Sequence, residues 1–90
     1  MAVLMIGEVP GLTEEMYAGM MGQMQAVLRG SKGFVSHAGG PSPSGGWRVV
    51  EIWESKEDGD AFFDANVKPN LPPGVVPERT YHEVHTAFTK

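Results

Sequence analysis

The chain has 90 residues, the length of one small domain, and carries 7 Lys and Arg against 11 Asp and Glu, a net charge of −4. A chain this short buries a modest share of its surface, and with no cysteine it has neither disulfides nor thiolate metal ligands to supplement its core. The acidic balance, with basic residues scattered from Arg29 to Lys90, excludes a phosphate-tracking surface, so nucleic acid is not an expected partner.

The apolar start from Ala2 to Ile6 lacks a basic flank and is interrupted by Gly7, Glu8 and Pro10, too short for a signal peptide or a membrane span. No Asn-x-Ser/Thr acceptor occurs, and the expected setting is the cytoplasm, away from membranes. Residues 3–9 instead read as a strand that stops at the turn dipeptide Pro10-Gly11. Thr13, followed by Glu14 and Glu15, supplies an N-cap oxygen and acids at the positive end of a helix dipole. Met16, Met20, Met24, Val27 and Leu28 follow at helical spacing, which predicts a helix over 14–29 that lays a methionine-rich stripe on a sheet and stops near Gly30.

Residues 33–38 predict a second strand, the glycine- and proline-rich run 39–46 a loop, and residues 47–54 a third strand; so short a connection makes a long hairpin, since a parallel crossover needs a dozen or more residues. Ser55 with Asp58 three residues on is a weak capping box opening a second helix. Ala61, Phe62, Ala65 and Phe63 are candidates for its apolar face, and it is expected to end before Pro69, because a proline ring pushes the residue before it out of the helical region. The stretch to Arg79 reads as irregular. Residues 80–89 form the last predicted strand, with Tyr81, Glu83 and His85 on one side and His82, Val84 and Phe88 on the other.

The chain is therefore expected to be one domain, 1–90, of class α+β, with ferredoxin-like β-α-β-β-α-β order, a four-stranded antiparallel sheet and two helices on one face. Strand one carries Val3, Met5 and Gly7 on one side and Leu4, Ile6 and Glu8 on the other; strand three carries Trp47, Val49 and Trp53 against Val50 and Ile52. A sheet apolar on both sides must be covered twice, and the chain's own helices cover it once. A homodimer whose paired sheets close into a dimeric α+β barrel is the expected assembly.

The run Val49-Val50-Glu51-Ile52-Trp53-Glu54-Ser55-Lys56-Glu57 followed by Phe62, a strand ending in tryptophan and then a serine-capped helix with an aromatic on its buried side, resembles the antibiotic-biosynthesis-monooxygenase-like domains of the dimeric α+β barrel superfamily. Gly33-Phe34 at the opening of the second strand fits the same pattern. The resemblance implies oxidation of aromatic polyketide or quinol-like compounds with neither metal nor flavin, heme degradation in one branch, and other members of unknown role. Such chemistry requires an enclosed apolar pocket in which an electron-rich phenolate forms, and a polar group that takes or steadies a proton. The sequence departs from the heme-degrading branch: it has no asparagine in the first strand, Phe62 near that branch's helix-two tryptophan, and prolines and aliphatics where its histidine would follow. Residues 59–68 contain no histidine, so the helix-two histidine of many quinol-oxidising relatives has no counterpart either.

Candidate residues follow from what remains. His82 and His85, three apart on a strand, point to opposite faces and cannot share an ion, so no metal site is expected. The side shared by Tyr81, Glu83 and His85 is the better place to tune a proton acceptor, unless it is a solvated edge. Glu51 shares a strand face with both tryptophans; if that face is interior, its carboxylate is either paired, with Arg79 or a histidine, or protonated and functional. The catalytic candidates are thus His85, Tyr81 and Glu51. Trp53, His37 and Phe62 are the ligand-binding candidates, against core packing for the aromatics and loop exposure for His37. The glycine loop lacks the Lys-Ser/Thr of a phosphate-binding loop. The resemblance implies a cofactor-independent monooxygenase acting on a small aromatic or quinol-like compound, or else a non-catalytic ligand-binding or stress-response module of the same fold.

Overall fold

In the computed structural model, which describes residues 2–90, the elements run β1 (Val3–Val9), α1 (Glu14–Arg29), β2 (Phe34–Pro41), β3 (Trp47–Trp53), α2 (Lys56–Phe62) and β4 (Glu78–Glu83). The sheet order is β2-β3-β1-β4, with every neighbouring pair antiparallel. Both helices open on the predicted caps: Thr13 Oγ1 accepts from the Met16 N–H at 3.2 Å, and Ser55 Oγ from the Asp58 N–H at 3.1 Å.

Strand alternation decides which side is covered. Met5, Gly7 and Val9 of β1 and Trp47, Glu51 and Trp53 of β3 are buried on the helix-bearing face, whereas Leu4, Ile6, Val50 and Ile52 lie half-buried on the other. Met24 and Leu28 of α1 and Phe62 of α2 close the core around Met5 and Trp53, the latter 0% exposed. Val9, Leu12 and Trp47 form a second, smaller cluster.

Three boundaries and one helix face differ from the sequence reading. Of the stripe expected on α1, Met20, Met24 and Leu28 turn inward while Met16 and Val27 are exposed, and Tyr17 and Met21 complete the inward face on the same helical period. β2 continues through Gly39, Gly40 and Pro41, which pair with Val49, Arg48 and Trp47, because a backbone ladder needs no side chains and an edge strand tolerates proline. The turn proper is tight, with the Gly45 N–H on the Ser42 carbonyl at 3.0 Å and Gly45 and Gly46 at φ 97° and 76°, the left-handed region glycine adopts without strain.

After α2 the chain does not leave the helical region at Lys68. A π-helical turn over Phe63–Val67 passes into a 3-10 turn over Lys68–Asn70, and Lys68 keeps φ −53° and ψ −46°. Pro69 is accommodated because it sits at the start of a fresh turn, where its missing N–H is not called on. Phe62 and Phe63 turn inward, while Ala61 and Ala65 are exposed. β4, finally, begins at Glu78 and stops at Glu83, opposite Val3; the Val84 N–H reaches the Ala2 carbonyl at 3.1 Å, and residues 85–90 run on without strand pairing.

Candidate functional site

A cavity of about 80 Å³ lies over the middle of the sheet, between α1 on one side and α2 with its following turns on the other. Its floor includes Met5, Gly7 and Val49; Met20, Met21 and Met24 line it from α1, and Phe62, Phe63 and Val67 from the opposite side. The lining is overwhelmingly apolar, and the polar groups that reach it sit toward the sheet's two edges.

Toward β2, the register places His37 directly opposite Glu51 on β3. His37 Nδ1 lies 2.7 Å from Glu51 Oε2, and the Trp53 indole N–H donates to Glu51 Oε1 at 2.9 Å, so both oxygens of a nearly buried carboxylate are engaged. His37 Nε2 faces the Tyr17 hydroxyl within hydrogen-bond reach. One proton arrangement satisfies the whole line for a neutral imidazole: Nδ1–H donates to Glu51 and Nε2 accepts from Tyr17. The Tyr17 and His37 rings stack with centroids 5.9 Å apart and planes 9° from parallel, and Trp47 packs against Tyr17 at 5.1 Å. Burial, and then the negative charge of Glu51, push the Tyr17 phenol above its usual value, so it stays protonated and available as a donor.

Gly39 makes this line possible. A Cβ there would stand 2.5 Å from the Tyr17 hydroxyl, so the bare backbone of β2 is what lets α1 bring a phenol over the sheet edge. Gly59 of α2 does the same for the other side, where a Cβ would meet the Tyr81 hydroxyl at 2.5 Å.

Toward β4, Arg79 lines the cavity with its guanidinium carbon 4.0 Å from the centroid of the Phe63 ring. Its Nη2 donates to the Tyr81 hydroxyl at 2.6 Å, which in turn donates to Asp60 Oδ1 at 3.0 Å; Arg79 Nη1 stands 3.3 Å from the same oxygen. Lys56 Nζ donates to Asp60 Oδ2 at 2.6 Å. The hydrogen bond from Lys56 leads the influences that hold Asp60 below the usual carboxylate range. Burial pushes Tyr81 up to about 12, partly offset by the Arg79 charge.

The structure thus brings Glu51, His37 and Phe62 together at the cavity. Trp53 stands behind Glu51 in the sealed core, and Tyr81 lies under α2, tied to Arg79 and Asp60. His85 falls beyond β4, exposed, its Nδ1 2.6 Å from Thr86 Oγ1. The partner open to Glu51 in the sequence, Arg79 or a histidine, is a histidine. Tyr17 was not singled out from the sequence; its signal was the spacing Tyr17, Met21, Met24, Leu28, together with a glycine two residues after His37. Among the described residues no cluster of three or more His, Cys, Asp or Glu is placed to hold a metal ion, and no helix is long and apolar enough to cross a membrane.

No family model matches the chain, and no curated protein sequence does. Solved structures match it over nearly its full length. SnoaB from Streptomyces nogalater, a cofactor-independent oxygenase, aligns with a TM-score of 0.62 at 14% identity, covering 99% of this chain and 98% of that one. The heme-degrader MhuD from Mycobacterium tuberculosis, whose structure has two hemes bound in its active site, aligns with a TM-score of 0.58 at 17% identity, covering 97% and 99%. At these identities the likeness is one of fold: the chain shares its ferredoxin-like α+β architecture with these proteins.

Proposed function

We propose that this chain is an oxygenase that uses dioxygen on a small electron-rich aromatic hydroxyl compound with no bound cofactor. The observation that carries the reading is the line Tyr17–His37–Glu51 on the wall of an apolar cavity. A hydroxyl entering the cavity donates to the Tyr17 oxygen, Tyr17 passes its own proton to His37 Nε2, and Glu51 steadies the resulting imidazolium through Nδ1–H. The phenolate so formed gives one electron to dioxygen, and the two radicals combine at a ring carbon. The proton held on His37 then completes a hydroperoxide, and loss of water with the ring C–H leaves a carbonyl. The substrate ends with one oxygen gained and two hydrogens lost, the second oxygen leaving as water.

The cavity is smaller than the roughly 150 Å³ that admits benzene, so a single ring enters only as side chains yield. Met20, Met21 and Met24 are suited to that, since the unbranched thioether repacks at little cost. The fold likeness to a cofactor-independent oxygenase supports the reading without supplying its residues. Oxygen uptake with a panel of hydroquinones and other single-ring phenols tests it: turnover is expected with at least one, reduced about 100-fold or more in Tyr17→Phe and His37→Ala, the scale of lost general-base catalysis. Tight binding across the panel with no oxygen consumed would replace the enzyme by a ligand-binding module of the same fold.

The active form in this reading is a homodimer. Leu4 pairs with Ile52 and Ile6 with Val50 across β1 and β3, a contiguous apolar patch on the face without helices, and a second copy is the occupant that matches it by symmetry.

A further inference from the structure

The proposed chemistry uses the β2 side of the cavity and leaves Arg79 unexplained. His37 and Arg79 stand on the two edge strands of the sheet order β2-β3-β1-β4, two residues out of register, so that three interstrand spacings and that offset put them about 16 Å apart at the backbone. Between them, in the same row of the ladder as Arg79, the floor is Gly7, which has no side chain to divide the space. A guanidinium lining an apolar cavity is costly unless its donors are paired. Nη1 and Nη2 are engaged by Asp60 and Tyr81, but Nε is buried with no hydrogen-bond partner among the described residues. The Arg79 side chain is only 16% exposed, and the one carboxylate beside it is shared with Lys56, two cations to one anion. The opposite side of the cavity carries the reverse polarity, an acid and its imidazole.

We propose that Arg79 anchors the bound molecule by an acceptor oxygen, carbonyl or carboxylate, at the end farthest from the hydroxyl that meets Tyr17. This rests on the reading of the cavity as a site for an aromatic hydroxyl, and it narrows the ligand class to single-ring phenols with an oxygen acceptor across the ring. Phe63, stacked on the guanidinium, holds Arg79 in place, and an acceptor arriving beside it pairs Nε without opening the site to water.

Binding of three probes to the full chain tests this: p-cresol, with a hydroxyl alone; 4-hydroxyacetophenone, with a neutral carbonyl; and 4-hydroxybenzoate, with a carboxylate. Calorimetry is expected to show at least one acceptor-bearing probe binding about tenfold or more tighter than p-cresol, the scale of a hydrogen bond to a charged group. The Arg79 Nε–H resonance is expected to move with that probe and not with p-cresol, and the favoured probe tells carbonyl from carboxylate. Arg79→Lys keeps the charge and loses Nε, and the advantage is expected to vanish with p-cresol affinity retained. Equal binding of all three, or an advantage that survives Arg79→Lys, overturns the Arg79 proposal alone. No binding of any probe overturns both it and the hydroxyl-site reading. If the variant fails to fold, the ranking and the resonance in the unaltered chain still decide.

Discussion

His37 on β2 and Glu51 on β3 face each other across a single rung of the ladder, and their side chains meet at 2.7 Å on the side of the sheet that the helices cover. Neither residue is placed by a loop. Both project from paired strands, so their separation is fixed by the sheet's own register, which is the precision a proton-transferring pair needs. Glu51→Gln tests how much rests on it. A glutamine oxygen can accept from Trp53, but its NH2 then faces His37 Nδ1, so the imidazole must take the other tautomer and Nε2 no longer accepts from Tyr17. The expected result is a stability loss of about 1–3 kcal/mol in urea unfolding, together with a fall in any oxygen uptake.

Gly39→Ala is a sharper probe, because it alters the site without replacing any of its polar groups. The new methyl would lie 2.5 Å from the Tyr17 hydroxyl and 3.1 Å from the Trp47 indole nitrogen, so the phenol must swing away from His37. A cost of about 1–3 kcal/mol is expected for the overpacking. The Tyr17 phenol, raised by burial and by Glu51, should titrate closer to its ordinary value once displaced. Spectrophotometric titration of the variant against the unaltered chain reads this directly; an unchanged tyrosine titration would mean that Tyr17 does not occupy the position described.

The other tyrosine gives a pH prediction. Tyr81 is pushed up to about 12 from the ordinary tyrosine value of about 10, so the folded state holds its proton where the unfolded state has lost it. Its contribution to stability is complete below pH 10 and declines as pH climbs toward 12. Denaturant unfolding between pH 9 and about 11.5 should therefore show a loss of stability that is shallower in Tyr81→Phe, lysine titration being common to both.

The order of elements, both helix caps and the division of β1 and β3 into two faces were legible in the sequence because each rests on a local rule: a cap oxygen, a turn dipeptide, a period of two. Glu51 was recognisable as an acid sharing a face with two tryptophans, but the choice between Arg79 and a histidine depended on which edge strand lay beside β3. That is a property of sheet order, which no local pattern encodes. Tyr17 was obscured by a neighbouring methionine stripe of the same period, and only contact with β2 fixes the helix rotation. Gly39 read as loop for the very reason it serves the site, since a residue without a side chain carries no strand pattern. His85 fell outside the sheet because β4 starts two residues earlier than its sequence suggests and has passed the end of β1 by Val84.

The face without helices supplies the last prediction. Leu4, Ile6, Val50 and Ile52 are each half-buried by their neighbours in one chain, yet none is covered by a helix of that chain. Around them the surface turns polar: Glu8 pairs with Arg48, and Thr80 Oγ1 lies 3.0 Å from His82 Nε2. An apolar centre with a polar rim is the layout of a protein interface, and one on a flat sheet with a two-fold partner is self-complementary. Ile6→Glu puts a carboxylate into its middle while leaving the cavity on the opposite face intact. In a dimer two such charges would be brought together and stripped of water, which the interface cannot bear. Light scattering of the unaltered chain at micromolar concentration is expected to give the mass of two chains, and of the variant the mass of one, with far-ultraviolet circular dichroism preserved. Because a chain of this size depends on every patch it covers, the monomeric variant should also melt at lower temperature, and that melting should lose its dependence on protein concentration.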